Sequence, residues 1–193
     1  MASLPHPSAP SHRTLIRVIT LRHPWAVCVA HLGKDVENRL WHPRKEGGHA
    51  GMYLALHGGS PDVGRYREDF GDDLRTITRQ ILSRDGRALD PEVRRSLSPR
   101  QFAYLRDRLN RQPAQAWILP GIVAVARLTA VVRDHPSRWA AAGQWNWVLA
   151  DVVTLPRPVP ARGGKRLWEL DDRTLRAVRA GYRAGLERLL QAA

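Results

Sequence analysis

The sequence predicts an α+β fold, built as a small, mostly antiparallel β-barrel with a short helix after the first strand, a helical insertion and a C-terminal helix. Strand-like segments lie in both halves of the chain, and helical patterns are concentrated in one central stretch and at the end. The regular alternation of strand and helix that is typical of a parallel α/β sheet is missing. A chain of 193 residues can form one domain with a sizeable insertion. We therefore predict a disordered tail at residues 1–13 and a single domain at residues 14–193.

A strand and a short helix begin the predicted domain. Residues 13–22 (RTLIRVITLR) are rich in β-branched residues, which favour a strand. Pro24 suits the start of a helix, and apolar residues follow it at helical spacing. Gly33 stands where a helix commonly ends on a residue with a left-handed backbone. The pattern therefore predicts one short helix between Pro24 and Gly33.

The next segment, LGKDVENRLW at residues 32–41, predicts a turn followed by a strand. Side chains along a strand point alternately to its two faces. One face carries Val36, Asn38 and Leu40, and because Val36 and Leu40 suit a core, we expect this face to be buried. The opposite face, which we expect at a surface or cleft, carries Asp35, Glu37, Arg39 and Trp41.

A helical insertion is predicted at residues 59–116, after a strand that ends at His57. Its apolar side chains recur every three or four residues, as on the buried face of an amphipathic helix. These side chains are Phe70, Leu74, Ile77 and Ile81, followed by Phe102, Leu105 and Leu109.

The last part of the chain predicts further strands and a final helix. Residues 116–134 form one long strand or two short ones broken at Pro120. Strands at residues 145–155 and 166–170 flank a loop rich in proline and glycine. Residues 172–191 predict an amphipathic helix with several outward arginines.

The charge of the chain indicates a polyanionic partner. Thirty-one lysines and arginines against 18 acidic residues give a net charge of +13, which favours nucleic acid. The longest apolar run, GIVAVARLTAVV, is interrupted by Arg127 and Thr129, and the first residues lack the apolar core of a secretory signal. We therefore expect a cytoplasmic protein with no membrane partner.

The sequence predicts no metal site and no cofactor. Cys28 is the single cysteine, so neither a disulfide nor a cysteine-based zinc cluster is expected. The eight histidines show no ligand spacing on a common helix, and there is no phosphate-binding P-loop.

Four segments together closely resemble the signature of the ASCH domain, named for activating signal cointegrator homology and belonging to the PUA-like barrels. The first is TLRHPWAVCVAHLGKDVENRLW, which contains R-x-P-W and then G-K-x-x-E-x-R, where the family has G-x-K-x-x-E-x-R. The others, in the family's order, are YLALHGG, GIVAVARLTAVV and WNWVLADVVTLPRPVPARGGKRLWEL. The resemblance covers roughly residues 15–58 and 117–170, about half of the chain.

The resemblance implies a PUA-like barrel with a cleft beside the first helix and a role around RNA or modified nucleosides. Members of the family include RNA-binding modules, a ribonuclease and small amidohydrolases that deacylate N4-acetylcytidine. In the amidohydrolases the lysine activates a threonine three positions later. Lys34 holds the lysine position here, but Glu37 replaces the threonine, and a carboxylate cannot serve as a hydroxyl nucleophile.

The leading hypothesis is a nucleic-acid-binding protein whose partner is RNA. Cationic side chains bind phosphates, and aromatic side chains stack on bases. The candidate nucleic-acid-binding residues are Arg22, Trp25, Arg39, Trp41, His57, Arg162 and Lys165.

Other functions stay open. Lys34 and Glu37 are candidate catalytic residues of a metal-independent ribonuclease or a nucleoside amidohydrolase. Glu37 and Arg39 equally fit an exposed structural ion pair. The helical insertion, from Phe70 to Leu109, is a candidate docking surface for a protein partner if its apolar stripe is exposed.

Overall fold

The computed structural model describes residues 16–60, 67–82, 89–111 and 117–191, so the tail predicted at residues 1–13 lies outside the described part. Its strands are β1 (Arg17–Leu21), β2 (Val36–Arg39), β3 (Tyr53–Gly58), β4 (Gly121–Val132), β5 (Trp145–Val159) and β6 (Leu167–Glu169). Its helices are α1 (Trp25–His31), α2 (Arg67–Ile81), α3 (Pro91–Ser96), α4 (Pro99–Arg111) and α5 (Asp172–Leu190), with a turn of 3-10 helix at Pro43–Glu46. Among these helices, none has both the length and the apolar character needed to cross a bilayer.

The six strands form one curled mixed sheet in the order β2-β5-β4-β3-β1-β6. β1 and β3 run parallel, and the other neighbouring strands are antiparallel. The α+β class and the mostly antiparallel sheet are therefore confirmed. The barrel prediction is corrected to an open half-barrel, because the edge strands β2 and β6 do not pair with each other in the described part. These edges have only four and three residues, which offer few backbone groups for closing a ladder.

The segment from β1 through α1 to β2 follows the predicted turn chemistry. Helix α1 begins directly after Pro24, and Gly33 has a left-handed backbone with φ of +67°. The amide of Lys34 donates to the carbonyl of Cys28 at 3.1 Å, which ends the helix and directs the chain into β2. One face of α1 packs on the core of the sheet, and the other packs on the helices between β3 and β4.

Strand β2 differs from its prediction at one end. Val36 is fully buried, as expected, but Leu40 is 82% exposed because β2 ends at Arg39. Asn38 lies between them and is held by polar contacts, since its Nδ2 donates to the carbonyl of Trp139 at 2.8 Å. The prediction that Leu40 faces the core is therefore wrong.

The helices between β3 and β4 build a second apolar core. Phe70, Ile77 and Ile81 of α2 are 5%, 0% and 1% exposed, and Leu105 of α4 is 2% exposed. These side chains share a cluster with the outer face of α1. The side chain of Leu109 lies outside the described residues. Leu74 and Phe102 are partly buried against the same cluster. Most of the stripe is therefore covered by the protein's own helices, which counts against the docking hypothesis.

Of the last three strands, only β5 is longer than predicted, while β4 and β6 lie within their predicted ranges. Strand β4 begins at Gly121, whose φ is +90° and whose added Cβ would lie 2.7 Å from the carbonyl oxygen of Val159. Strand β5 continues through Pro156 and Pro158, where the sequence predicts a loop. The fixed φ of proline is compatible with extended backbone, so the prolines remove donors without ending the strand. Helix α5 covers the predicted C-terminal helix and ends at Leu190.

Candidate functional site

A pocket opens beside α1, between the neighbouring ends of β1 and β2 and the side of α2. Its volume is about 650 Å³, within the roughly 300–1,000 Å³ that is typical of small-ligand pockets. The charged side chains that line it are Arg22, Lys34, Glu37, Arg39 and Asp73.

A buried ionic cluster forms one wall of the pocket. Lys34 is 2% exposed, and its ammonium donates to Glu37 Oε2 at 3.1 Å and to the carbonyl of Val36. The other carboxylate oxygen, Glu37 Oε1, lies 3.0 Å from Arg39 Nε. Glu37 therefore stands between two cations, and the cluster carries a net positive charge.

Arg39 also connects two strands, β2 and β1, that lie near opposite ends of the strand order. Its Nη2 donates to the backbone carbonyl of Thr20 in β1 at 2.7 Å. Strand β2 is an edge of the half-barrel, and β1 lies beside the opposite edge. The Arg39 side chain therefore bridges the opening that backbone pairing leaves, while its guanidinium lines the pocket.

The facing wall carries a second acid, Asp73 of α2. Arg22, at the end of β1, places Nη2 3.0 Å from Asp73 Oδ2 and Nη1 3.0 Å from Asp69 Oδ2. The Trp25 side chain donates a hydrogen bond to Asp73 as well. Burial raises the pKa of the Asp73 carboxyl above its usual value, and the contacts with Arg22 and Trp25 oppose this rise. These contacts fix α2 against the half-barrel.

The loop between β4 and β5 completes the pocket. Asn38 donates to the carbonyl of Trp139 at 2.8 Å and accepts at Oδ1 from the amide of Ala141 at 3.0 Å. Asn146, which is fully buried, donates to the same Oδ1 at 3.0 Å. This network holds the Trp139 segment at the pocket edge.

The structure brings together five of the residues singled out in the sequence. Arg22, Trp25, Lys34, Glu37 and Arg39 all line the pocket. The ammonium of Lys34 lies 5.6 Å from the centroid of the Trp25 ring. The exposed surface pair considered for Glu37 and Arg39 is instead part of a three-residue cluster in which Lys34 and Glu37 are buried and Arg39 is partly buried.

The other four candidates lie outside the pocket lining. Trp41 packs edge-on against Trp147, with ring centroids 4.8 Å apart. His57 is 3% exposed, and its Nε2 donates to the carbonyl of Ala161 at 3.1 Å. Arg162 and Lys165 are exposed on the loop before β6.

Four lining residues, Asp73, Thr76 and Gln80 of α2 and Trp139, were not singled out in the sequence. The α2 residues lie at i, i+3 and i+7, beside the buried apolar stripe of the same helix. This spacing identifies a polar face of the helix from the sequence alone. It does not show whether that face contacts solvent or another part of the protein, so the sequence could not predict that α2 lines the pocket.

Two buried histidines make the stability of the fold depend on pH. Burial lowers the pKa of His23 and of His57 below the ordinary histidine value. His23 is held neutral, because Nδ1 accepts from the amide of Leu119 at 3.3 Å and Nε2 donates to the carbonyl of Gly59 at 3.1 Å. The unfolded chain therefore binds more protons than the folded chain at pH values between the lowered pKa and about 6.5. We expect the free energy of unfolding to fall as the pH drops from about 7 toward 5, by at most about 1.4 kcal/mol per pH unit for each histidine.

Urea denaturation at several pH values between about 7.5 and 5.5 measures this dependence. Replacing His57 by glutamine removes one titrating group and should reduce the slope. Equal stability across this range would contradict the prediction.

The cluster of charges suits an anionic ligand that also carries hydrogen-bond donors. Three lining cations, Arg22, Lys34 and Arg39, face two carboxylates, Glu37 and Asp73, so the net charge is +1. Among the described residues, no group of three or more His, Cys, Asp or Glu side chains is placed to hold a metal ion. In comparisons with known proteins, neither a protein-family model nor a curated protein matches the chain.

Proposed function

We propose that the chain is an RNA-binding protein of the ASCH type, with a PUA-like half-barrel, and that it holds one nucleotide of the RNA in the pocket beside α1. The observation that carries this proposal is the convergence of Arg22, Trp25, Lys34, Glu37 and Arg39 on one open pocket. These residues come from the two short motifs in the first of the four segments that carry the resemblance.

The cations of the pocket supply the contacts that a phosphate needs. Arg39 is held by Glu37 and Thr20, so its guanidinium is oriented before a ligand arrives. Charge-assisted hydrogen bonds from arginine to phosphate are short and strong. Trp25, which is partly buried at the start of α1, offers a ring against which a base can stack.

Basic groups outside the pocket extend the proposed contact to the rest of the RNA. Arg162 and Lys165 are exposed on a loop, and α5 carries the exposed arginines Arg173, Arg176 and Arg183. Such residues bind phosphates without reading sequence. The net charge of +13 is consistent with this general attraction.

The second candidate, a metal-independent ribonuclease or nucleoside amidohydrolase that uses Lys34 and Glu37, is favoured by their 3.1 Å contact in the pocket. The remaining contacts favour binding over catalysis. Both oxygens of Glu37 face cations, and Lys34 donates also to the carbonyl of Val36. Both groups are thus already engaged in contacts within the protein, which a general acid or base would have to share with the substrate.

RNA binding can be tested by fluorescence anisotropy with labelled single-stranded and hairpin RNAs over a range of salt concentrations. We expect a dissociation constant below about 100 μM that weakens steeply with salt, because a basic protein releases counterions on binding. Replacing Arg39 by methionine should weaken binding and lower the salt slope by about 1. Arg127→Met is the matched control, because Arg127 is paired with Asp151 and does not line the pocket.

Circular dichroism should verify that each variant is folded, and Trp25→Leu provides a second pocket variant if Arg39→Met is not. Absence of salt-dependent binding, or equal losses for Arg39→Met and Arg127→Met, would overturn the proposal. The same RNAs, incubated in EDTA and analysed on a gel, should stay intact. Cleavage that Lys34→Ala abolishes would establish the ribonuclease instead.

A further inference from the structure

Arg133, directly after β4, is an exposed arginine whose guanidinium is held in place by two contacts. Its Cζ atom lies 4.4 Å from the centroid of the Trp145 ring, a distance typical of a cation–π contact. Its Nη1 donates to the carbonyl of Gly143 at 3.2 Å. Among the described residues, no carboxylate forms an ion pair with Arg133. Arg133 is therefore an oriented cation whose charge no ion pair in the described part neutralises.

Two connections join Arg133 to the pocket. The first is Trp145, which pairs with Arg39 in the register of β2 and β5, so the side chains of Trp145 and Arg39 lie side by side on one face of the sheet. Strand β5 lies between β2 and β4, so Trp145 separates the pocket arginine from Arg133. The second is the loop before β5, where Gly143 contacts Arg133 and the next residue, Gln144, lines the pocket.

The strand order gives the distance between the two arginines. Neighbouring strands lie about 4.8 Å apart, so the backbones that carry Arg39 and Arg133 are separated by roughly 10 Å. Phosphates of one stacked strand repeat about every 3.4 Å along its axis, so this separation corresponds to about three nucleotides. An RNA strand with a phosphate at Arg39 can therefore reach Arg133 within a few nucleotides.

We infer that Arg133 binds a phosphate of the RNA strand that leaves the pocket past Arg39, so that the strand runs across β5 toward the end of β4. This inference rests on the proposed function, because it assumes that a nucleotide occupies the pocket. The planar guanidinium is already oriented by Trp145, so little conformational freedom is lost when it binds. Its remaining N–H groups can form charge-assisted hydrogen bonds with phosphate oxygens.

Replacing Arg133 by methionine tests the inference by fluorescence anisotropy at several salt concentrations. The probe is a labelled oligo(U) of about 12 nucleotides, which is long enough to span the pocket and Arg133. We expect the variant to bind about tenfold more weakly than the wild type, because it loses a charge-assisted contact. The slope of the logarithm of the binding constant against the logarithm of the salt concentration should fall by about 0.7, the value for one phosphate contact on a single strand.

The matched control is Arg94→Met. Arg94 is also exposed, and its Cζ atom also lies over an aromatic ring, 3.8 Å from the centroid of Phe102. The change removes the same charge from α3, which belongs to the helices between β3 and β4 and not to the sheet. We expect its affinity to stay within about twofold of the wild type, because salt screens the attraction of a distant charge.

The outcomes separate this inference from the proposed function. If the wild type shows no salt-dependent binding, the proposed function fails and the inference fails with it. If the wild type binds but Arg133→Met loses no more affinity or slope than Arg94→Met, only the inference is overturned. A loss of affinity with an unchanged slope would also overturn it, because no phosphate contact would have been removed. Should Arg133→Met not fold by circular dichroism, Arg133→Gln removes the same charge and is expected to give the same losses.

Discussion

Replacing Glu37 by leucine is expected to lower the free energy of unfolding by about 3–5 kcal/mol, because the ammonium of Lys34 is left buried without its carboxylate. Lys34 is 2% exposed, so water cannot replace the lost partner. Arg39 would lose the same carboxylate, but it is only partly buried and keeps its bond to the carbonyl of Thr20. Urea denaturation of the wild type and the variant at pH 7 measures the difference.

Two further variants test whether the loss of stability in Glu37→Leu is caused by the buried, unpaired charge of Lys34. Glu169→Leu removes a strand glutamate that lies 3.0 Å from Arg17 but has a side chain that is 60% exposed, and it should cost no more than about 1 kcal/mol. The double variant Lys34→Met/Glu37→Leu should be more stable than Glu37→Leu alone, because it buries no unpaired charge. A loss below about 1 kcal/mol in Glu37→Leu would show that the cluster is solvated in solution.

Replacing Ile77 by alanine is expected to destabilise the protein by about 2–5 kcal/mol, as for other large-to-small substitutions in a packed core. Ile77 is fully buried in the cluster that joins α2 to α1. Because Thr76 lines the pocket from the adjacent position, we expect the variant to lose RNA affinity as well as stability. Urea denaturation and anisotropy with the same RNA measure the two effects.

The control for this variant is Thr78→Ala. Thr78 is exposed, and its hydroxyl donates to the carbonyl of Leu74 within the same helix. The change should alter stability by no more than about 0.5 kcal/mol. If Ile77→Ala matched this small effect, the helices between β3 and β4 would not be part of the folded core.

Local patterns predicted the elements that depend on local chemistry. Pro24 and Gly33 mark the two ends of α1, since their backbone preferences act within one turn. The alternation of β2 placed Glu37 and Arg39 on one face, and both line the pocket. The apolar spacing of α2 was likewise sufficient to identify its buried side.

Features that depend on distant contacts could not be predicted in this way. Leu40 follows the alternation of β2, but the strand ends before it, and a pattern does not state where pairing stops. Strand β3 ends at Gly58, one residue after His57, and the His57 side chain bonds the carbonyl of Ala161 and does not line the pocket. Asp73 lines the pocket because α2 packs against the half-barrel, where Asp73 pairs with Arg22. This packing joins segments that are far apart in the sequence.

The hydrogen bond from Arg39 to the carbonyl of Thr20 gives one side chain both a structural role and a place in the pocket. The same guanidinium spans the opening of the half-barrel and lines the pocket, so a change at Arg39 alters the scaffold together with the proposed ligand contact. Helix α2 meets the pocket only through side chains on its polar face, and its apolar face is anchored elsewhere. Substitutions on the polar face of α2 are therefore expected to change the pocket wall without disturbing β1 and β2.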